Sequence, residues 1–295
     1  MFTILIPTYN NIDYLKICLD SLKKNSSFKH QIIIHVNEGK DGTLEFVKKN
    51  NYNYTFSSEN IGMPKALNKA SSLAETDYIL ISHDDFYYCP GWDTEFFKEI
   101  KNIGHNNFYL SGTMVGSGQV YFNAGETAEQ FQETELLENL DKIKIEDFQG
   151  TTKCPGLVHI TIWNKVGGWS EEFSPTGGDD TDFAMKLWNL NIRIFKGLGK
   201  SLAYHFGSIT TRKKNKSLFT YLGSRGNKIF IKKWGMEINF FEKFYLNSGI
   251  DKDKNLIVNK YEGTLSEPKK NLVYYFGLIK CKLLIFYLFL IRFKY

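Results

Sequence analysis

Two pairs of adjacent aspartates, Asp84-Asp85 and Asp179-Asp180, are the residues of this sequence best suited to chemistry. Asp84 and Asp85 follow directly on Tyr78–Ser82 (YILIS), an apolar run that reads as a buried strand. Neighbouring carboxylates repel, and each costs desolvation unless it is paired. A bound cation removes that conflict. Hard oxygen ligands suit Mg²⁺ or Mn²⁺, and either ion can bridge a diphosphate and neutralise the charge that grows as it leaves. The same pair could instead cap the next helix, and taken alone it supports both readings equally. Asp179-Asp180 lies in Gly178-Asp179-Asp180-Thr181-Asp182, where Asp179 and Asp182 also suit the N-terminus of a predicted helix over 182–190.

Elements that could position these groups are readable along the first two thirds of the chain. Phe2–Pro7, Gln31–Val36, Tyr54–Ser57 and Tyr78–Ser82 read as strands, and 11–24, 43–49 and 64–73 as helices, the last opened by Pro64. Such a βαβα order points to a parallel sheet, whose crossovers put the carboxyl ends of successive strands on one edge. Ligands bind at that edge in open α/β sheets. The loops to watch are therefore 8–10, 37–42 and 83–86. Beyond them, 108–114, 157–163 and 192–195 read as strands, Gly167-Gly168-Trp169 as a turn, and acidic 127–148 as a surface helix or loop with no function assigned.

Composition narrows the class. At 295 residues and 42% hydrophobic, the chain can bury one large α/β domain plus an appendage. Its four cysteines show no CxxC or CxxH spacing, which argues against a zinc site or a disulfide framework and fits a reducing compartment. No charged segment followed by an apolar one opens the chain, so a cytoplasmic catalytic domain is expected. The net charge of +5 gathers at Arg212, Lys213, Lys214 and Lys216 and in the C-terminal third. With no nucleic-acid-binding signature, an anionic lipid or phosphate surface is favoured over nucleic acid.

Six segments then occur in order: Ile6-Pro7-Thr8-Tyr9-Asn10, Asn37-Glu38-Gly39, Asn60-Ile61-Gly62, Ser82-His83-Asp84-Asp85, Gly178-Asp179-Asp180-Thr181-Asp182 and His205-Phe206-Gly207-Ser208. In this the sequence resembles the family-2 inverting glycosyltransferases, from the start to about Thr211. The resemblance implies a GT-A fold: one nucleotide-binding, Rossmann-like α/β domain with a mostly parallel central sheet, spanning 1–216. Its donor half is about 1–115 and its acceptor half about 116–216, and 217–295 is a helical, basic and apolar extension. The implied function is metal-dependent transfer of a sugar from a nucleoside diphosphate sugar, UDP-linked by first choice, to a hydroxyl of a glycan or lipid-linked glycan, in surface polysaccharide biosynthesis. A protein of this fold without activity, serving as a scaffold for glycan assembly, is the alternative. A nucleotidyltransferase would want a Gly-rich phosphate loop, which Thr8-Tyr9-Asn10-Asn11 is not.

Carried over residue by residue, the family pattern gives Pro7, Thr8, Tyr9, Glu38, Asn60, Gly62 and Asp84 donor contacts, with Glu38 beside the nucleotide base. His83-Asp84-Asp85 stands where the family has its DxD motif, His83 replacing the first aspartate. Asp85 and His205 are the implied ligands of the divalent metal, Mn²⁺ or Mg²⁺. Asp179-Asp180 matches the Glu-Asp motif that supplies the catalytic base, Asp180 first and Asp179 the alternate. Trp169 is an implied aromatic platform for the acceptor sugar.

The apolar run Leu283–Ile291 falls short of the ~20 residues that cross a bilayer, and Lys280 and Lys282 interrupt what precedes it. It reads as an interfacial segment, with tyrosines 274, 275, 287 and 295 at headgroup level and Lys280, Lys282, Arg292 and Lys294 facing anionic lipid on the inner face of the membrane. A terminal helix packed on the domain or on a second subunit is the other reading.

Overall fold

The computed structural model describes residues 1–207, 216–250 and 256–291, with side chains from 224 onward in the first helix after the gap. The basic cluster at 212–216 lies outside the described side chains. The chain opens β1 (Thr3–Tyr9), α1 (Ile12–Asn25), β2 (Gln31–Asn37), α2 (Thr43–Lys49), β3 (Asn53–Ser57), α3 (Met63–Ser71) and β4 (Tyr78–Ile81). It continues through β5 (Phe86–Tyr88), α4 (Trp92–Ile103), β6 (Phe108–Gly116), α5 (Glu133–Glu138), α6 (Leu140–Ile143), β7 (Phe148–Gln149) and β8 (Gly156–His159). The last elements are α7 (Ile160–Val166), a 3₁₀ turn at Glu171–Phe173, α8 (Asp179–Asn189), β9 (Ile194–His205), α9 (Lys216–Trp234), α10 (Ile238–Tyr245) and α11 (Leu272–Leu290).

One sheet runs through the molecule in the order β3-β2-β1-β4-β8-β6-β9-β5, with β7 on β9. The first four strands are parallel, as the β-α alternation requires, and the sheet is mixed beyond β4 because β8 runs antiparallel to both β4 and β6. Fully buried Ile4, Leu5, Ile6, Ile33, Ile34, Val36 and Ile79–Ile81 explain why these runs show no polar alternation: helices cover both faces. Helices α9 and α10 send Ile229, Phe230 and Phe241 into the same core, which therefore takes side chains from both sides of residue 216.

Three elements differ from expectation. The run expected as one strand over 157–163 is a strand to His159 and a helix from Ile160. His159 Nδ1 accepts from the Thr161 amide and so caps α7. The strand expected at 192–195 extends twelve residues to His205. The terminal apolar element begins at Leu272 and so has 19 residues, the one described helix long and apolar enough to cross a membrane. The helix runs through both Lys280 and Lys282, the expected interruptions: the Lys280 ammonium is 2.8 Å from Glu237 on the preceding segment, and Lys282 is exposed.

Candidate active site

The carboxyl ends of β1, β2 and β4 form one rim, and each turns on a backbone conformation its sequence permits. Asn10 and Glu38 hold positive φ, 46° and 60°. Asn37, at the end of β2, stitches the rim together: its amide nitrogen donates to the Thr8 carbonyl at 3.2 Å and its oxygen accepts from the Ile61 amide at 3.0 Å. Glu38 stands beside Asn10 and Lys40, 3.4 and 3.1 Å away, and is partly accessible. Pro7, Thr8 and Tyr9 therefore close β1 next to Asn37-Glu38, and Asn60 and Gly62 lie across from them.

Gly62, an expected donor contact, is also a packing position. At φ 81° it lies so close to Pro175 that an added Cβ would come within 2.5 Å of the Pro175 Cα, and the Met63 amide donates to the Pro175 carbonyl at 2.8 Å. This packing joins the α3 loop to the segment leading into α8. Trp169, the expected acceptor platform, lies in the core. It is 1% exposed, packed on Phe183 with ring centroids 6.0 Å apart, and its backbone is clasped by both ends of the Asn68 amide. It has no open face for an acceptor sugar.

A metal-competent group lies where β4 ends. The candidate ligand atoms of His83, Asp85 and His205 all lie within 4.8 Å of one another. Pairing of β5 with β9 places Phe86 opposite His205, which brings a residue 120 positions later against Asp85. Asp85 Oδ2 is 3.4 Å from His205 Nε2, and its Oδ1 is 3.9 Å from His83 Nδ1. His205 Nδ1 lies 2.9 Å from the Ser117 carbonyl, which can only accept, so Nδ1 carries a proton and Nε2, facing Asp85, is the atom that a metal would meet. Burial opposes ionisation of Asp85, but His205 and His83 overcome it and hold the carboxylate at about 2. His83 is pushed down to about 4 by desolvation, so it is neutral at pH 7. Two imidazoles and one carboxylate fit a divalent cation. Asp84 is different: burial first, and the Asp85 charge second, raise it to about 7.

The second pair opens α8, which starts at Asp179 and not at 182, with Gly178 at φ 80° before it. Asp179 Oδ1 accepts from the Gly177 amide at 2.8 Å; burial and the adjacent Asp180 raise it to about 7. Asp180 is less enclosed. Its Oδ2 accepts from Lys153 Nζ at 2.6 Å, and its Oδ1 from the Thr181 amide at 2.8 Å. Burial would raise Asp180 too, but Lys153 outweighs it and holds the group below the ordinary carboxylate range. Asp182 does not face the site; it bonds Trp234 Nε1 at 2.7 Å and Lys233 at 3.0 Å and anchors α9.

The two imidazoles of the metal group and the second aspartate pair line one cavity of about 380 Å³, whose walls include His83, His205, Lys153, Asp179, Asp180 and Glu242, with Asp85 behind the histidines. Lys153 and Glu242 were not anticipated. Lys153 is a single lysine in an irregular segment and leaves no sequence signal. Glu242, 4% exposed and accepting from Thr181 Oγ1 at 2.9 Å, could have been suspected as an acid among Ile238, Phe240, Phe241, Phe244 and Tyr245.

Comparison with known proteins agrees with this geometry. Residues 3–159, more than half of the chain, match the model of glycosyl transferase family 2. The chain belongs to that family. Among curated relatives of this family-2 chain is an uncharacterized glycosyltransferase of Mycoplasma genitalium, MG025, 32% identical over 137 residues that make up 43% of this chain and 42% of that protein. The match thus spans less than half of the relative's length. Among solved structures, residues 1–349 of S. aureus TarS align over 77% of this chain and 68% of that one, at 18% identity and a TM-score of 0.52. The UDP complex of the same protein aligns over 82% and 72%, at 17% identity and a TM-score of 0.53. The UDP-GlcNAc complex aligns over 78% and 70%, at 17% identity and 0.52. These likenesses carry the fold, which is GT-A-like with a helical C-terminal region.

Proposed function

We propose that this family-2 glycosyltransferase moves a sugar, with inversion, from a nucleoside diphosphate sugar to a hydroxyl of a glycan or lipid-linked glycan. The observation that carries the reading is the single cavity that has His83 and His205, the two imidazoles clustered with Asp85, on one wall and Asp180, held ionised, on another. UDP-sugars are the first donors to test, since the TarS structures of the same fold hold UDP and UDP-GlcNAc.

In this mechanism Pro7, Thr8, Tyr9, Glu38 and Asn60 receive the nucleoside at the rim, and Asp84 meets the ribose or diphosphate. Asp85, His205 and His83 would hold a divalent cation, which when bound supplies charge neutralisation to the departing diphosphate. Asp180 accepts the proton of the acceptor hydroxyl as that oxygen attacks the anomeric carbon from the face opposite the nucleotide. Lys153 keeps Asp180 in the basic form and must give up Oδ2 as the hydroxyl arrives. Asp179, raised to about 7 by burial and by Asp180, limits repulsion within the pair by sharing the proton, and its Oδ1 is already taken by the Gly177 amide, which leaves Asp180 as the base.

The test is a donor-hydrolysis and binding screen of UDP-, GDP- and dTDP-sugars with Mn²⁺ or Mg²⁺. Metal-dependent turnover of at least one donor is expected. Absence of both binding and turnover for every donor would overturn the reading in favour of a non-catalytic scaffold.

A further inference from the structure

Helix α11 lies along the molecule with one face docked. Tyr274 and Cys281 are buried against α10, where Phe240 meets Tyr274 at 5.1 Å between ring centroids, and Gly277 permits the approach: an added Cβ would stand 2.8 Å from the Phe240 ring. Leu288 is buried on the same side.

On the opposite side Leu272, Phe276, Ile279, Leu283, Phe286 and Leu290 recur at steps of four, three, four, three and four residues, and every one is between 54% and 76% exposed. At 1.5 Å per residue this ridge is about 27 Å long. Soluble surfaces rarely carry so continuous an apolar strip. Lys280 and Lys282 lie on its two flanks, 80° to either side at 100° per residue, and Lys269 and Lys270 precede its N-terminal end.

We propose that this ridge is a docking surface for an anionic phospholipid bilayer, with α11 lying in the membrane plane. The docked face rules out a span without detaching Tyr274 and Cys281 from the domain. In-plane, the six side chains enter the acyl boundary while Lys282 on one flank and Lys269 and Lys270 at the N-terminal end reach to phosphate, Lys280 being paired with Glu237. The charges also distinguish lipid from a second copy of the chain. A two-fold pairing along the ridge would centre near residue 281 and set the Lys282 of each copy against that of the other, whereas Lys280 is paired with Glu237. Anionic headgroups meet the same lysines favourably. The consequence for the site is placement. Phe240, which holds α11, is two residues from Glu242 on the cavity wall, so the bilayer and the cavity share the short helix α10.

The experiment is flotation of the full chain with vesicles of phosphatidylcholine alone and of two parts phosphatidylcholine to one part phosphatidylglycerol. Wild type is expected to float with the anionic vesicles. Phe276→Ser/Leu283→Ser/Phe286→Ser should lose flotation, and Lys269→Glu/Lys270→Glu/Lys282→Glu should weaken it about ten-fold or more. These lysines are exposed, so the second variant answers the question even where the first does not fold. Wild type that stays at the bottom, or variants that float undiminished, would overturn the proposal. So would a wild-type dimer that the apolar variant turns into a monomer with no effect on flotation. Donor hydrolysis, assayed on the same samples without lipid, reports the transferase reading separately.

Discussion

Lys153 Nζ lies 2.6 Å from Asp180 Oδ2, so the carboxylate proposed as base is also half of an ion pair. The pair does two things at once. It holds Asp180 deprotonated against the cost of burial, and it occupies the oxygen that would take the acceptor's proton. The expected result is that Asp180→Asn leaves UDP-sugar binding within two-fold by calorimetry while transfer falls by about 10²–10⁴, the usual contribution of a positioned base. A near-normal transfer rate would refute the assignment.

Removing the lysine tests the other half. Without its positive charge, burial is unopposed and the Asp180 carboxyl rises, so in Lys153→Met the acid limb of kcat/KM should move to higher pH. Lys153→Arg retains the charge and should restore the wild-type limb. If Lys153→Met loses activity with no movement of the limb, Lys153 is structural only.

The metal group predicts a pH-dependent response to cation. Asp84 is raised to about 7, so between its unfolded value near 4 and about 7 the native protein binds the extra proton, and this group lowers stability as pH rises through that window. Asp179 acts in the same direction. Asp85, held at about 2, does the reverse and loses its stabilising contribution as pH falls from about 4 toward 2. A cation beside Asp85 relieves the Asp84 repulsion only where Asp84 is ionised. Mn²⁺ should therefore raise the melting temperature more at pH 8 than at pH 5.5. Asp85→Asn should abolish the increment and weaken metal-dependent donor binding by about ten-fold or more.

The parts of this site that were legible in the sequence are those with local causes. Asp84-Asp85 follows an apolar strand, and the strand ends 8–10, 37–42 and 83–86 meet because β1, β2 and β4 are parallel. The illegible parts depend on distant partners. β9 looked like a strand only at its start because Lys196, Gly197 and Gly199 break its apolar pattern. In the fold Lys196 is neutralised by Glu99 and Asp147, and the two glycines sit under Phe148 and the Ile145 backbone. Lys153 and Glu242 reach the site from 27 and 61 residues away, across contacts no local pattern announces. The packing of Trp169 is illegible for the same reason: nothing local to Gly167-Gly168-Trp169 announces that Asn68 and Phe183 enclose it.

Trp169 then has a testable role in packing. Trp169→Ala should destabilise the protein by about 3–5 kcal/mol, as large-to-small core changes do, whereas Trp169→Phe should keep most of the stability. In the Phe variant the acceptor KM should stay within two-fold of wild type. A large rise in that KM with normal stability would reinstate a direct sugar contact.

Gly62 separates packing from donor binding most sharply. Its φ of 81° is strained for any residue with a Cβ, and that Cβ would meet the Pro175 backbone, which cannot swing aside as a side-chain tip would. Gly62→Ala should therefore cost about 2 kcal/mol or more by denaturant unfolding. The loss should reach the acidic helix as well, because the Met63 amide to Pro175 carbonyl bond is one of the links from the donor rim to the start of α8. The expected kinetic signature is a fall in kcat for transfer with UDP affinity nearly unchanged. A variant of normal stability that has lost UDP affinity would place Gly62 on the nucleotide after all.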